Sequence, residues 1–215
     1  MEIRAYSRDY LELAQKNMGD MLDYAVNTLD YSIKEIWSMF IGSGISSQIE
    51  IGNSKYIAGM TGCELVDSIL KRSGLENLKE HVMYLDKTPE YWCGWALAYY
   101  QWYRNVSFGR INEAIPIDVI KNMYFTMHEA DISRFVTAMD EKMKEFFKET
   151  NLKYYREIRG ISQSELAKES GVSLRMVQML EQKKRNINKT GFEYVLSMAK
   201  VLGCRVEDLY ESYNA

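Results

Sequence analysis

Apolar side chains recur every three or four residues along most of this chain, which is the spacing of one face of an α-helix. In the first two thirds of the chain, the pattern predicts helices over residues 11–30, 32–41, 63–71, 90–103, 117–125 and 132–146. Residues 45–60 leave three alternatives open, because their pattern suits a short hairpin, a helix or a loop with a turn. The predicted fold is all-α.

A boundary between two domains is predicted near residue 150. The helical pattern that includes Met139, Met143 and Phe146 runs out there, and a second pattern begins at Leu152. No Gly- or Pro-rich linker separates the two patterns, so the sequence favours a continuous or barely broken helix at the junction. We assign residues 1–149 to a helical domain for partner binding, sensing or oligomerisation, and residues 150–215 to a second domain.

Charge is divided unevenly between these two domains. The formal net charge at neutral pH is −3. Residues 150–215 carry 11 basic and 8 acidic residues, a net charge of +3, whereas residues 1–149 carry 16 basic and 22 acidic residues, a net charge of −6. A basic segment attached to an acidic body favours an anionic partner for the second domain alone.

Cysteine use and hydropathy indicate a cytoplasmic protein. The 3 cysteines are odd in number and far apart, which speaks against a disulfide framework and favours a reducing compartment. The N-terminal segment carries charges every few positions, unlike a signal peptide, and no apolar run is long enough for a membrane span. We therefore expect no membrane association.

Residues 162–180 contain the signals of two short helices joined by a tight turn. Ser162 and Glu165 have the spacing of a capping box, in which each side chain accepts the backbone N–H of the other residue. Gly171 stands where a helix ends in the left-handed conformation, and Ser173 is placed to cap the next helix. Two helices with such a turn form a helix-turn-helix, whose second helix enters a groove of DNA.

At the level of motifs, residues 152–211 resemble the helix-turn-helix of the lambda-repressor/Cro type, also called the XRE family. The matching motifs are Gln163-x-x-Leu166-Ala167, Gly171-Val172-Ser173, Val177-x-x-Leu180-Glu181, Leu196-x-x-Ala199-x-x-Leu202-Gly203 and Val206-x-x-Leu209. The resemblance covers about the last quarter of the chain. It implies a five-helix DNA-binding domain, with double-stranded DNA as the partner.

The resemblance also implies roles for individual side chains. The residues that it places against base edges are Leu174, Arg175, Gln178 and Met179. The residues that it places against the DNA backbone are Gln163, Ser173, Lys183, Lys184, Arg185 and Asn186. It further implies an ion pair between Arg156 and Glu181, which would tie the first helix of the domain to the end of the recognition helix.

Three positions depart from the pattern of this family. Leu174 and Met179 can contact a thymine methyl group, but they cannot read hydrogen-bond donors and acceptors. Direct readout is therefore expected from Arg175 and Gln178. Arg205 stands where many relatives have Ser or Thr, which weakens the expected cap of the fifth helix.

The N-terminal domain has its densest aromatic stretch between residues 91 and 103. Trp92, Trp95, Tyr99 and Trp102 are spaced so that they form one stripe along a helix. Small residues between them, Gly94 among them, permit another helix to approach closely. The stripe is typical of a central core helix, and a small-molecule pocket or a partner-binding surface are the two functional alternatives.

Signals of catalysis and metal binding are missing or broken. The sequence from His128 to Ile132 lacks the second histidine of a zinc-binding His-Glu-x-x-His helix, and the other histidine of the chain is His81. Neither a Walker phosphate-binding loop nor a Gly-x-Ser-x-Gly nucleophile motif occurs. We expect no metal, no cofactor and no enzymatic activity.

Three functional hypotheses remain open. The first is a sequence-specific transcription regulator, most simply a repressor, whose N-terminal domain binds an effector or forms a dimer. The second is an antitoxin that neutralises a toxin with its N-terminal domain and represses its own operon. The third is an interaction protein with a vestigial helix-turn-helix. Because one recognition helix with two polar readers covers few base pairs, the first hypothesis predicts a homodimer on a pseudo-palindromic site.

Overall fold

The computed structural model describes residues 4–77, 79–81 and 87–211. Contacts divide the chain into two compact units, Met1–Met143 and Lys144–Ala215. The described residues form helices, turns and loops without a β-strand, so the predicted all-α fold is confirmed. None of the described helices is both long and apolar enough to cross a membrane.

The helices up to residue 146 are short to medium in length and follow one another closely. They are α1 (Leu11–Asn27), α2 (Ile33–Gly42), α3 (Ile45–Glu50), α4 (Ser54–Ile57), α5 (Gly62–Arg72), α6 (Pro89–Arg104), α7 (Phe108–Ala114), α8 (Ile117–Asn122), α9 (Tyr124–Met127) and α10 (Ile132–Phe146). A 3₁₀ helix, Arg8–Tyr10, precedes α1.

The structure departs from the predicted helices at three places. Residues 45–60 contain α3 and α4, so the helical alternative is correct there. Helix α1 ends three residues earlier than predicted, and Asp30 takes a left-handed turn with φ of 64°. The single helix predicted over residues 117–125 is wrong, because α8 and α9 are separate helices with Met123 between them.

Of the two alternatives for the junction near residue 150, the continuous helix is wrong and the barely broken helix is correct. Helix α10 ends at Phe146, and the next helix begins at Asn151. Thr150 is extended and caps that helix, since its side-chain oxygen accepts the backbone N–H of Lys153 at 3.2 Å. An N-cap residue needs non-helical backbone angles, so a helix cannot run through it.

The C-terminal unit is a small bundle around one apolar core. Its helices are α11 (Asn151–Arg159), α12 (Gln163–Ser170), α13 (Leu174–Glu181), α14 (Phe192–Leu202) and the 3₁₀ helices Ile187–Lys189 and Val206–Leu209. The core contains Leu152, Leu166, Val177, Leu180, Met198 and Leu209. The fifth helix implied by the resemblance is therefore a short 3₁₀ helix at Val206–Leu209.

Helices α1 and α6 form the centre of the N-terminal unit and pack against each other along most of their length. Small side chains on α6 permit the contact. A Cβ atom at Gly94 would lie 2.1 Å from the carbonyl oxygen of Met18, so the two backbones touch at this point. On the buried side of α1, Met18, Met21 and Leu22 are inaccessible to solvent.

The aromatic stripe of α6 lies at the edge of this contact. The most deeply buried residues of the helix are Cys93, Leu97 and Tyr100, together with alanines between them. Trp92 and Trp102 are also buried, whereas Trp95 and Tyr99 are half-buried. The small residues that lie between the stripe positions thus provide the closest contact of α6 with α1.

Replacement of Gly94 by alanine should destabilise the N-terminal unit by about 3 kcal/mol or more, at the upper end of the range for overpacked cores. The added methyl group meets backbone atoms of α1, which cannot move aside as a flexible side chain would. Urea unfolding followed by tryptophan fluorescence reports this unit alone, because the 4 tryptophans lie at positions 37, 92, 95 and 102. Gly109 is the matched control, since a Cβ there would meet its nearest atom at 3.9 Å. A Gly109→Ala variant should be as stable as the parent or slightly more stable, and equal loss in both variants would contradict the packing argument.

Candidate DNA-binding interface

The turn between α12 and α13 is fixed by three consecutive residues. Gly171 ends α12 in the left-handed conformation with φ of 69°, as its position in the sequence predicts. Val172 is buried in the core beneath the turn. Ser173 is extended and caps α13, since its hydroxyl oxygen accepts the backbone N–H of Met176 at 3.3 Å. The turn therefore sets the direction in which α13 leaves α12.

The start of α12 is also capped as predicted. The hydroxyl oxygen of Ser162 accepts the backbone N–H of Glu165 at 3.2 Å, and the carboxylate of Glu165 accepts the N–H of Ser162 at 2.7 Å. These hydrogen bonds lower the pKa of Glu165, so its carboxylate is ionised at neutral pH. Its negative charge lies at the positive end of the helix dipole and stabilises α12.

Helix α13 presents one buried and one open side. Val177 and Leu180 lie in the core. On the open side Leu174 is 42% exposed, Arg175 is exposed, and Gln178 and Met179 are half-buried. Within the described residues, the side chains of Arg175 and Gln178 have no hydrogen-bond partner, which leaves their donors available to a ligand.

A buried carboxylate lies at the end of α13. Glu181 accepts two hydrogen bonds from Arg156, one from Nε to Oε1 at 2.6 Å and one from Nη2 to Oε2 at 3.0 Å. The exposed fraction of the side chain is 2% for Glu181 and 11% for Arg156. The hydrogen bond to Glu181, opposed by burial, raises the pKa of Arg156, so its guanidinium stays charged. The predicted ion pair thus has bidentate geometry in the structure.

Two further hydrogen bonds extend this pair into a network. Arg156 Nη1 donates to the carbonyl oxygen of Ile161 at 2.9 Å, between α11 and α12. Gln163 Nε2 donates to Glu181 Oε2 at 2.7 Å. The resemblance placed Gln163 only against the DNA backbone, and nothing in the local sequence pattern indicates its contact with Glu181. Its amide has a second hydrogen and an oxygen left for another partner.

The basic turn after α13 closes that helix. The backbone N–H of Lys183 donates to the carbonyl of Leu180 at 3.1 Å, and that of Lys184 donates to the carbonyl of Met179 at 2.9 Å. This pair of bonds is a Schellman motif, which explains why Lys183 is left-handed with φ of 57°. The side chains of Lys183, Lys184 and Arg185 are exposed and form no ion pair with any described residue. Asn186 is exposed as well, and its side-chain oxygen accepts the N–H of Asn188 at 2.8 Å.

The expected weak cap at Arg205 is compensated by Asp208. The carboxylate of Asp208 accepts the backbone N–H of Arg205 at 2.9 Å and its guanidinium Nη2 at 3.0 Å. The C-terminal end of the unit is held in a similar way, since Glu211 Oε1 accepts the backbone N–H of Asn151 at 3.0 Å. The sequence analysis did not single out Glu211, which has no motif spacing relative to Asn151.

The aromatic residues of α6 lie in two separate environments. Trp92 and Trp95 line an open pocket of about 250 Å³ next to α9. Tyr99 and Trp102 belong to a different cluster, in which Tyr99 stacks on Tyr103 with ring centroids 5.7 Å apart. The indole N–H of Trp102 donates to the carbonyl of Tyr6 at 2.8 Å. The structure therefore does not bring the four stripe residues together at one site.

The free thiols of the chain are poor nucleophiles. Burial raises the pKa of Cys63 and of Cys204 to about 11, and it raises the pKa of Cys93 as well. All three are thus protonated at neutral pH. Among the described residues, no group of three or more His, Cys, Asp or Glu side chains is arranged to hold a metal ion.

Replacement of Glu181 by alanine should destabilise the C-terminal unit by about 3–5 kcal/mol, because the guanidinium of Arg156 would stay buried without its partner. Hydrogen exchange of the amides in α13 is the appropriate measurement, since it reports this helix within the full chain. Arg205→Ala is the matched control, since it removes an ion pair whose arginine is 53% exposed. The control should cost less than about 1 kcal/mol. Unchanged protection of α13 in the Glu181 variant would show that the network does not hold the recognition helix.

Comparison with known proteins identifies the segment that contains this interface. Residues 152–209, about a quarter of the chain, match the model of a helix-turn-helix family. No curated protein and no solved structure matches the chain. The match begins at the second residue of α11 and includes α12, α13, α14 and the 3₁₀ helix that follows. The resemblance to the XRE family is confirmed, and residues 152–209 are a helix-turn-helix domain of the DNA-binding type.

Proposed function

We propose that this chain is a transcriptional repressor that binds a specific DNA operator through α13. The observation that carries the proposal is the contrast between the two sides of α13. One side ends in the buried network of Arg156, Glu181 and Gln163, whereas the other presents Arg175 and Gln178 without partners among the described residues. A helix that is fixed in orientation and has free donors on its open side is suited to enter the major groove.

Sequence preference would come from two polar side chains and two apolar ones. An arginine such as Arg175 can donate two hydrogen bonds to guanine O6 and N7, and a glutamine such as Gln178 can pair with adenine N6 and N7. Leu174 and Met179 offer methyl and methylene groups to thymine. We therefore expect an operator half-site that contains guanine, adenine and thymine at the positions facing α13.

The side chains around α13 would fix the register of the domain on the DNA backbone. Ser173 and Gln163 lie at the N-termini of α13 and α12, where backbone N–H groups favour a phosphate. At the other end of α13, the exposed Lys183, Lys184 and Arg185 carry charges that no described carboxylate neutralises. Asn186 follows them in the same loop. Contacts of this kind position a protein on DNA without reading its sequence.

Repression is the simplest outcome of such binding. A protein that occupies an operator excludes RNA polymerase by its presence alone, and it needs no further contact surface. We expect the regulator to have no enzymatic activity. We also expect it to act in the reducing cytoplasm, because its 3 cysteines are odd in number and far apart in the sequence.

The antitoxin hypothesis is the second candidate, and the exposed aromatic residues of the N-terminal unit favour it. Phe125 on α9 is 70% exposed. Trp95, which lines the pocket next to α9, is half-buried. Aromatic residues are enriched at protein interfaces. The product of a neighbouring gene separates the two hypotheses. An antitoxin would co-purify with it and bind their shared promoter more tightly as the complex, whereas a repressor would bind its operator alone.

Replacement of Arg175 and of Lys184 by alanine should have different effects on DNA binding. The operator is first selected from a random duplex library with the parent chain. Arg175→Ala should cost about 1–3 kcal/mol at one base pair and relax the preference there. Lys184→Ala should weaken binding to all duplexes alike and lower the slope of log affinity against log salt by about 1. The measurement is fluorescence anisotropy at several salt concentrations, and an Arg175 variant with unchanged base preference would contradict the proposed readout.

The chain should bind its operator as a homodimer. Two copies double the number of base contacts, which brings specificity into the range that a genome requires. We expect light scattering to give twice the mass of 25.1 kDa and the selected operator to contain two half-sites about one helical turn apart. A duplex with one half-site should bind far more weakly. A monomer that binds a single half-site as tightly as the full operator would contradict the proposal.

A further inference from the structure

A pocket beside α6 is lined by aromatic and basic side chains whose presence there is not explained by contacts within the described chain. It lies between α6, α9 and the start of α10, and it has a volume of about 250 Å³. Four of the nine described residues that line it are tyrosine or tryptophan, with Tyr91, Trp92 and Trp95 on α6 and Tyr124 on α9. Pockets for small molecules are typically lined by apolar and aromatic side chains with a few polar groups, and this volume suits a ligand at the small end of that class.

The aromatic rings that line the pocket differ in the contacts that they make with other residues of the described chain. Trp92 packs edge-to-face on Phe135, with centroids 5.4 Å apart, and on Tyr124 at 6.0 Å. Tyr124 stacks on His128 at 4.3 Å. Trp95, in contrast, is half-buried and has neither a ring contact nor an indole hydrogen bond within the described residues. Its face is therefore available to a planar ligand.

The charges at the pocket favour an anion. Lys87 lies at its edge with Nζ 5.3 Å from the centre of the Tyr91 ring, and it has no ion pair within the described chain. Burial, and then the nearby Asp20 and Asp23, raises the pKa of Tyr91, so its hydroxyl is a neutral donor at neutral pH.

The carboxylates near the pocket are not among the residues that line it. Asp20 pairs with Lys16 at 3.0 Å, and Asp23 accepts hydrogen bonds from Asn27 and Thr88. Glu90 pairs with Lys121 at 3.2 Å, and Asp131 accepts the N–H of Ser133 at 2.8 Å. Glu129 is 89% exposed, and its Oε1 lies 3.7 Å from Nε2 of the lining residue His128. No carboxylate of the described chain thus lines the pocket beside Lys87.

We propose that this pocket binds a small planar aromatic carboxylate, with its ring against Trp95 and its carboxylate paired with Lys87. An aromatic cation would meet the positive charge of Lys87, which already lies near the face of Tyr91. A neutral aromatic compound would gain the stacking without the ion pair. The role of such an acid as the effector of the regulator rests on the proposed function, whereas the binding site itself does not.

Calorimetry on the full chain without DNA tests the site, with naphthalene-2-carboxylate, naphthalene-2-carboxamide and naphthalen-2-ylmethylammonium as probes. The carboxylate should bind about two- to fivefold more tightly than the carboxamide, because Lys87 is exposed and an exposed ion pair contributes little free energy. The ammonium compound should bind most weakly. Equal affinity for carboxylate and carboxamide, stronger binding of the ammonium compound or no binding of any probe at millimolar concentration would overturn the proposal.

Two pairs of variants locate the site. Lys87→Gln should reduce carboxylate affinity to that of the carboxamide, whereas Lys55→Gln should leave it unchanged. Lys55 is the matched control, because its Nζ also lies over a tyrosine ring, at 5.5 Å from the centre of the Tyr56 ring.

Trp95→Leu should weaken the binding of both the carboxylate and the carboxamide. Tyr99→Leu should leave their binding unchanged, because Tyr99 lies one turn further along α6 and outside the pocket. An unaffected Lys87 variant, or equal losses in a variant and its control, would overturn the assignment.

A separate titration tests the effector role. Naphthalene-2-carboxylate should change the affinity of the parent chain for its selected operator, and the Lys87→Gln variant should not respond. Unchanged operator affinity in the presence of measurable calorimetric binding would overturn the effector role and leave the site intact. A chain that binds the carboxylate but no DNA would instead contradict the proposed function.

Discussion

The bidentate bond between Arg156 and Glu181 is the interaction on which the geometry of the C-terminal unit depends. It joins α11 to the end of α13, where the side chain of Glu181 is 2% exposed and that of Arg156 is 11% exposed, so both charges are largely removed from water. Desolvation of two ions is costly, and an apolar pair of similar volume often gives equal or greater stability. The main contribution of this pair is therefore to the orientation of α13 and not to stability. A guanidinium and a carboxylate meet in one planar arrangement, so the orientation of α13 is defined more narrowly than apolar packing alone would define it.

The same bond also determines which polar groups of the unit remain available. Glu181 takes hydrogen bonds from Arg156 and from Gln163, and the carbonyl of Ile161 takes another from Arg156. Three polar groups are thereby satisfied within the fold. The cations left over are on the surface, where Arg175 and the run from Lys183 to Arg185 have no partner among the described residues. The pair of Arg156 and Glu181 is thus engaged within the fold, whereas the positive groups on and after α13 are left without partners among the described residues.

Local features of this arrangement could be predicted from sequence, because they depend on residues three or four positions apart. The capping box of Ser162 and Glu165, the left-handed Gly171 and the cap by Ser173 are of this kind. Contacts between distant residues were accessible only through the family resemblance, which implied the pair of Arg156 and Glu181. The bond between Gln163 and Glu181 was missed, since neither periodicity nor a motif relates two residues 18 positions apart.

The N-terminal unit illustrates a different limit of prediction from sequence. Helical periodicity predicted most of its elements, and the close approach expected at the small residues of α6 is made by Gly94 against α1. The sequence did not indicate which rings of the aromatic stripe the fold would engage. Once small residues provide that contact, the large rings are placed at its edges. Most of them are then used internally, as Trp102 is by Tyr6 and Trp92 is by Phe135. Trp95 is left with an unused face, as Arg175 is left with unused donors on α13. In both units the candidate functional residues are those with hydrogen-bonding or stacking groups that have no partner within the fold. This criterion needs the structure, because the sequence alone does not reveal which groups already have partners.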